Sequence, residues 1–193
     1  MIVIFGGSFN PPTIAHYQIA KHILTQLDCD KFFFLPVHDE YPKKGLISSQ
    51  HRLAMLELVC QKLSKTFVSS VEVESNKVLT TFETLTILKA QFPNQELAFV
   101  IGADNLVDLP NWVQFEELIR NYKLIVFRRE DISVDDIINK KFQAFKDQFI
   151  VLDSLEQMDI SSTQYRENLE RVDLVLPSID QYVKQYQLYG RGE

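Results

Sequence analysis

The chain has 193 residues, of which 46% are hydrophobic and 24% charged, and its net charge is −6. This length suits one domain with a substantial core, and the acidic balance argues against a general nucleic-acid surface, which would be basic. No apolar run is long enough to cross a bilayer, and the first residues lack the basic region of a signal peptide. We therefore expect a cytoplasmic protein that binds neither nucleic acid nor a membrane.

The first sixteen residues combine a strand, a glycine turn and the start of a helix. Ile2–Phe5 is apolar and predicts a short buried strand, which two glycines end. Two prolines delay the helix, so Thr13 stands at the N-cap position and His16 in the first turn. Unpaired N–H groups and the positive end of the helix dipole lie there. This arrangement is typical of a phosphate site.

Short apolar runs alternate with amphipathic segments along the first 152 residues. The runs are Ile2–Phe5, Phe32–Leu35, Phe67–Val73, Leu97–Ile101, Leu124–Phe127 and Phe149–Leu152. Helical patterns lie at about 14–27, 49–64, 81–92, 112–121 and 134–146, and two more follow at about 162–170 and 178–188. The alternation predicts an α/β fold with a Rossmann-like, doubly wound, mostly parallel sheet. We expect one domain over residues 1–193, with a core at 1–152 and a small C-terminal helical part at 153–193.

Polar segments follow the second and third predicted strands. Lys43 and Lys44 lie in a loop bounded by prolines and a glycine, where they are either phosphate ligands or a solvated pair. Thr80 and Glu83 have the spacing of a capping box, which satisfies two N–H groups at a helix start. A capped helix start still offers backbone donors to a ligand, so the structural and the binding interpretations are compatible.

The fourth strand leads into Gly102 and Asp104, with Trp112 a few residues later. Glycine admits close approach by a nucleoside, and an aspartate beyond it can accept hydrogen bonds from ribose hydroxyls. The alternatives are that Asp104 caps the next turn and that Trp112 fills the core. A tryptophan beside a ligand would stack on a flat, electron-poor ring.

Three consecutive hydroxyl residues, Ser161–Thr163, precede another helical pattern. Ser161 and Gln164 again have capping-box spacing, which predicts a helix start. Hydroxyl and N–H donors at such a place suit phosphate, and Arg166 can reach back with a planar, permanently charged fork. For an isolated Ser-Ser-Thr, an ordinary capped helix is the alternative.

Together these motifs resemble the nucleotidylyltransferase superfamily, and most closely the nicotinate (or nicotinamide) mononucleotide adenylyltransferases. Residues 6–16, GGSFNPPTIAH, are similar to the G-x-F-x-P turn and T/H-x-G-H tetrad of that superfamily. Thr13 stands where bacterial nicotinate enzymes usually have histidine, and Ala15 stands in the place of glycine. Residues 160–166, ISSTQYR, are similar to the I-S-S-T-x-x-R segment. The likeness covers nearly the whole chain.

The resemblance implies direct in-line attack by the 5′-phosphate of nicotinate mononucleotide on the α-phosphate of ATP, giving deamido-NAD and pyrophosphate for NAD biosynthesis. It assigns catalysis to His16, Lys44 and Arg166, with the choice between Lys43 and Lys44 open. It implies contacts with ATP from Gly7, Ser8, Phe9, Thr13, His16, Lys43, Gly102, Asp104, Ile160, Ser161, Ser162, Thr163 and Arg166. It implies contacts with the mononucleotide from Phe9, Asn10, Thr80, Thr81 and Trp112.

The partners implied are ATP and a pyridine mononucleotide, with Mg²⁺ bound to ATP rather than in a carboxylate cage of the protein. Self-association into a homo-oligomer is left open. Alternative acceptors are nicotinamide mononucleotide and another phosphorylated small molecule, because related adenylyl- and cytidylyltransferases share the first motif. A non-catalytic nucleotide-binding or sensor protein with the same fold is the alternative of a different class.

Overall fold

The structure is a computed structural model that describes residues 1–129, 131–156 and 159–190. The strands are β1 Ile2–Gly7, β2 Lys31–Pro36, β3 Thr66–Val68, β4 Leu97–Ile101, β5 Lys123–Phe127 and β6 Phe149–Leu152. The α-helices are α1 Ile14–Gln26, α2 Ser49–Cys60, α3 Thr81–Gln91, α4 Ala103–Asp108, α5 Phe115–Asn121, α6 Val134–Lys141, α7 Ser162–Glu167 and α8 Pro177–Gln185. Short 3₁₀ turns lie at Leu109–Asn111, Gln143–Gln148, Val172–Leu174 and Leu188–Gly190.

All six strands are parallel and lie in the order β3-β2-β1-β4-β5-β6. The chain builds the sheet outward from β1 to β3, then returns to the other side of β1 and continues to β6. The predicted Rossmann-like, doubly wound sheet is confirmed. The strand order reverses between β1 and β4, so the carboxyl end of β1 lies at the switch point where such sheets bind ligands.

Helices cover both faces of the sheet, because successive apolar side chains along β1 point to opposite faces. Ile2 and Ile4 point to the face covered by α3, α4, α5 and α6, whereas Val3 points to the face covered by α1, α2 and α8. Tyr165 of α7 and Ile179 of α8 belong to the second cluster. The C-terminal helices therefore pack on the same core as α1, which brings the end of the chain close to its beginning.

Several elements differ in length from the sequence patterns. Strand β3 stops at Val68 instead of Val73, because the chain enters a turn in which the Glu74 N–H donates to the Ser70 carbonyl. The predicted helix at 112–121 begins only at Phe115, after a 3₁₀ turn that ends at Asn111. Helix α4 was not predicted, since six residues are too few for a periodic pattern.

None of the helices in the described part of the chain is both long enough and apolar enough to span a bilayer.

Candidate active site

The turn after β1 is built on two buried phenyl rings. Phe9 is fully buried with a positive φ of 44°, and its ring lies beneath the glycine pair. A Cβ on Gly7 would lie 3.1 Å from the Phe9 ring, and one on Gly6 would lie 2.9 Å from the Phe99 ring. The glycines thus let the backbone lie directly against the core, so that polar groups of the turn face outward at the end of β1.

His16 is held at the start of α1 by the residue that caps the helix. The Thr13 N–H donates to His16 Nδ1 at 2.9 Å, and Thr13 Oγ1 lies 2.8 Å from the same nitrogen. The imidazole also meets the Phe9 ring edge-on, with 5.0 Å between centroids. The predicted N-cap at Thr13 and the position of His16 in the first turn are confirmed.

Burial, and then the positive charge of Lys43, lower the pKa of His16 to about 4. The imidazole is therefore neutral at neutral pH. Because Nδ1 accepts the Thr13 N–H, the ring proton lies on Nε2. His16 can then offer an N–H donor to a phosphate oxygen without changing its protonation state.

The second phosphate motif docks on the first. Ser161 caps α7 in the predicted capping box, with Gln164 Oε1 accepting from the Ser161 N–H at 2.7 Å. Ser162 Oγ donates to the Pro11 carbonyl at 2.8 Å, and Arg166 Nη1 donates to the Asn10 carbonyl at 2.7 Å. Two segments about 150 positions apart in the sequence thus meet at one point.

Of the lysine pair, Lys43 lies beside this meeting point. Its Nζ donates to Ser8 Oγ at 2.7 Å, and burial followed by the charge of Arg166 lowers the pKa of Lys43. Lys44 is exposed, and its side chain makes no hydrogen bond to any residue that the structure describes. Lys43 and Arg166 are therefore two cations that contact the turn leading to His16, one through Ser8 and the other through Asn10.

Arg52 links the loops that form the site from inside the protein. Its side chain is fully buried, and it donates to the carbonyls of Ile47, Ser8 and Val37 at 3.0, 3.3 and 2.9 Å. It also forms an ion pair with Asp39 at 2.7 Å. Arg52 is not among the site residues predicted from the sequence. A signal for its role is that a charged residue lies on the helix face that carries the core positions Met55 and Leu56.

Asn10 and Tyr189 form a second buried connection. The Asn10 side chain, fully buried, donates to the Gly45 carbonyl at 2.8 Å and accepts from the Tyr189 hydroxyl at 3.0 Å. Burial raises the pKa of Tyr189. Asn10 therefore links the lysine loop, the phosphate turn and the last described turn of the chain by hydrogen bonds.

Two clefts open on either side of the end of β1. The larger, of about 420 Å³, is lined among others by Ser8, Lys43, Glu72, Thr81, Phe99 and Trp112. Trp112 meets Phe99 nearly edge-on at 6.5 Å, so two aromatic rings form one wall. The smaller, of about 190 Å³, is lined by residues that include Gly102, Asp104 and Arg129. Val100 of β4 borders both clefts, which places them next to each other across the switch point.

The residues expected to bind substrate differ in how accessible they are. Phe9, Asn10 and Thr13 are at most 1% exposed, so their side chains shape the turn from inside rather than contact a ligand. Thr80 caps α3 in the predicted box with Glu83, while Thr81 lines the larger cleft. Asp104 is exposed and paired with Arg129 at 2.8 Å, and Gly102 takes the N-cap position of α4.

The chain is similar to known proteins in both sequence and fold. A family model described as cytidylyltransferase-like matches residues 4–168. A probable nicotinate-nucleotide adenylyltransferase of Carboxydothermus hydrogenoformans is 32% identical over 97% of both chains, and the nicotinate-nucleotide adenylyltransferase of Bacillus subtilis is 30% identical, also over 97% of both. Among solved structures, a Plasmodium falciparum nicotinic acid mononucleotide adenylyltransferase complexed with NaAD matches with a TM-score of 0.84 and 22% identity, covering 99% of this chain and 98% of that one.

Proposed function

Because the chain belongs to the cytidylyltransferase-like family and, within it, to the nicotinate-nucleotide adenylyltransferases, we propose that it joins ATP and nicotinate mononucleotide. The products are deamido-NAD and pyrophosphate, a step of NAD biosynthesis. The observation that carries the proposal is the convergence of the His16 turn, Lys43 and the Arg166 helix at the end of β1. One neutral donor and two cations at that place suit the negatively charged oxygens of a triphosphate.

In this reaction a 5′-phosphate oxygen of the mononucleotide attacks the α-phosphorus of ATP. On the side opposite the attacking oxygen, the bond from the α-phosphorus to the bridging oxygen breaks, and pyrophosphate leaves. Such transfers need positioning and charge stabilisation rather than a nucleophilic side chain. His16 Nε2–H donates to an oxygen of the α-phosphate in the crowded transition state. Lys43 and Arg166 neutralise the negative charge that develops on the leaving pyrophosphate.

The two clefts accommodate the two substrates on either side of the reacting phosphates. The aromatic wall of Phe99 and Trp112 suits the flat pyridine ring, and Thr81 at the start of α3 adds polar groups. In the smaller cleft, Gly102 permits close approach by adenosine, and the exposed Asp104 carboxylate accepts from ribose hydroxyls.

ATP enters as its magnesium complex in this proposal. The side chains that converge on the turn, Lys43 and Arg166, are cations and suit phosphate oxygens rather than a metal ion. Mg²⁺ bound to the phosphates supplies further charge neutralisation of the leaving pyrophosphate.

Thr13 and Ala15, the two departures from the tetrad, occupy structural positions. Their side chains are 1% and 4% exposed, and Thr13 orients the imidazole of His16. The orientation of the His16 imidazole is therefore kept despite both changes, which supports an enzyme rather than a sensor.

The reaction itself tests the proposal. Mixed with the protein, ATP and nicotinate mononucleotide should release pyrophosphate and form deamido-NAD in equal amounts, with nicotinamide mononucleotide assayed in parallel. The lysine pair supplies matched variants for the same assay. Lys43→Ala should lower kcat about 10- to 100-fold, the effect of losing one charged hydrogen bond, while Lys44→Ala should leave it nearly unchanged. Pyrophosphate release that does not depend on a mononucleotide would refute the proposed function, and equal losses in both variants would refute the role of Lys43.

A further inference from the structure

Glu72 is an acidic side chain inside the larger cleft, and the mechanism above does not use it. It lies in the turn after β3 and is 9% exposed. Its Oε1 accepts from Thr84 Oγ1 at 2.9 Å, and Thr84 on α3 is fully buried. The carboxyl group is therefore anchored on one side and borders the cleft on the other.

Glu72 lines the same cleft as Lys43 and Trp112, in the turn that follows β3. Strand β3 lies two strands from β1. At about 4.8 Å per strand, the turns that follow β1 and β3 are about 10 Å apart. A mononucleotide with its phosphate beside Lys43 and its ring against Trp112 would therefore bring its ring substituent into the cleft that the Glu72 carboxyl group borders.

Glu72 is buried without a paired cation among the described residues. Burial raises the pKa of Glu72 to about 7, and the Thr84 hydrogen bond opposes part of that rise. Within the described residues, no cation forms a salt bridge with it. The ionisable groups on the elements around it are Tyr41 and Lys43 on the cleft wall, Asp108 at the end of α4, His38 against the Ser75 carbonyl, Glu74 in the same turn, and the Lys77–Glu83 pair at the start of α3.

We propose that Glu72 contacts the ring substituent of the mononucleotide, and that it takes up a proton when that substituent is a carboxylate. The proposal rests on the function proposed above and deepens it by naming the residue that distinguishes nicotinate from nicotinamide. An ionised Glu72 would repel a ring carboxylate in this poorly solvated place, whereas a protonated Glu72 donates an O–H to it. A ring carboxamide can instead donate its N–H to the ionised form, so no proton is needed.

Proton balance makes the proposal measurable. Above the pKa of free Glu72, binding of nicotinate mononucleotide moves up to one proton from solvent to Glu72. The N–H groups at the start of α3 also favour a negatively charged ring substituent. Above the pKa of free Glu72, the Kd for nicotinate mononucleotide should rise about tenfold per pH unit. The Kd for nicotinamide mononucleotide should lack this rise.

Titration calorimetry of both mononucleotides between pH 6 and 8.5, in two buffers with different ionisation heats, tests the proposal without relying on turnover. Both ligands carry the same 5′-phosphate, so the difference between them isolates the ring. We expect up to one extra proton to be taken up with the nicotinate form. Glu72→Gln keeps an acceptor for Thr84 and a donor for the ring carboxylate, so it should bind nicotinate mononucleotide with no extra uptake and no excess pH slope.

Thr84→Val provides a second variant with a directional outcome. Removing a hydrogen bond that lowers the pKa of Glu72 should move the onset of weaker nicotinate binding to higher pH. Nicotinate binding without extra proton uptake in the wild-type protein, or with unchanged uptake in Glu72→Gln, would overturn the proposal and leave the proposed function standing. If neither mononucleotide binds, both are refuted.

Discussion

Replacing His16 with alanine is expected to lower kcat by about 10²- to 10³-fold, the usual effect of removing one donor aimed at charge developing in a transition state. The reason is the Nε2–H, which the structure keeps on a neutral imidazole by burial and by the bond from Thr13 to Nδ1. Since the pKa of His16 is about 4, activity should show no titration of His16 between pH 6 and 9. Pyrophosphate release at saturating substrates measures the effect.

His16→Asn is the matched control for this prediction. Its side-chain oxygen can still accept from the Thr13 N–H, so the helix start is retained while the donor at the Nε2 position is lost. We expect both variants to be slow, with only His16→Ala also losing about 0.5–2 kcal/mol from its free energy of unfolding through the weakened cap. An asparagine variant with wild-type kcat would contradict the proposed role of His16.

Replacing Arg52 with alanine is expected to lower the free energy of unfolding by about 3–5 kcal/mol, because a fully buried side chain is truncated and three carbonyl groups lose their donor. The change would leave the Ser8, Val37 and Ile47 carbonyls without their donor and Asp39 without its partner. Burial of Arg52 is complete, so water does not replace these bonds without a rearrangement of the turn. Denaturant unfolding of the variant and the wild-type protein measures the difference.

Arg120 on α5 offers the matched control for Arg52. It forms ion pairs with Glu116 and Glu117, but its side chain is about half exposed, and surface pairs of this kind contribute little. Arg120→Ala should therefore unfold close to the wild-type midpoint. If Arg52→Ala did the same, the proposed role of Arg52 as the link between the phosphate turn and the lysine loop would be wrong.

Much of the architecture followed from local patterns in the sequence. The alternation of apolar runs and amphipathic segments predicted the parallel sheet, because strands buried on both faces need apolar side chains on both sides. The capping boxes at Thr80 and Ser161 were also readable, since their partners lie three residues away. The glycine turn at the end of β1 and the helix start at Thr13 were likewise predicted from neighbouring residues.

What could not be predicted depends on contacts between distant parts of the chain. Nothing near Arg52 in the sequence indicates that its donors are taken by carbonyls of two separate loops. The bond from Tyr189 to Asn10 spans almost the whole chain. The choice of Lys43 over Lys44 and the burial of Glu72 likewise depend on how loops after different strands come together at one edge of the sheet.

The central claim is that the His16 turn and the Arg166 helix hold the same triphosphate, and a crystal structure with a hydrolysis-resistant ATP analogue tests it most directly. We expect the α-phosphate within hydrogen-bond distance of His16 Nε2, and the β- and γ-phosphates between Lys43 and Arg166. A triphosphate bound away from either His16 or Arg166 would contradict the account.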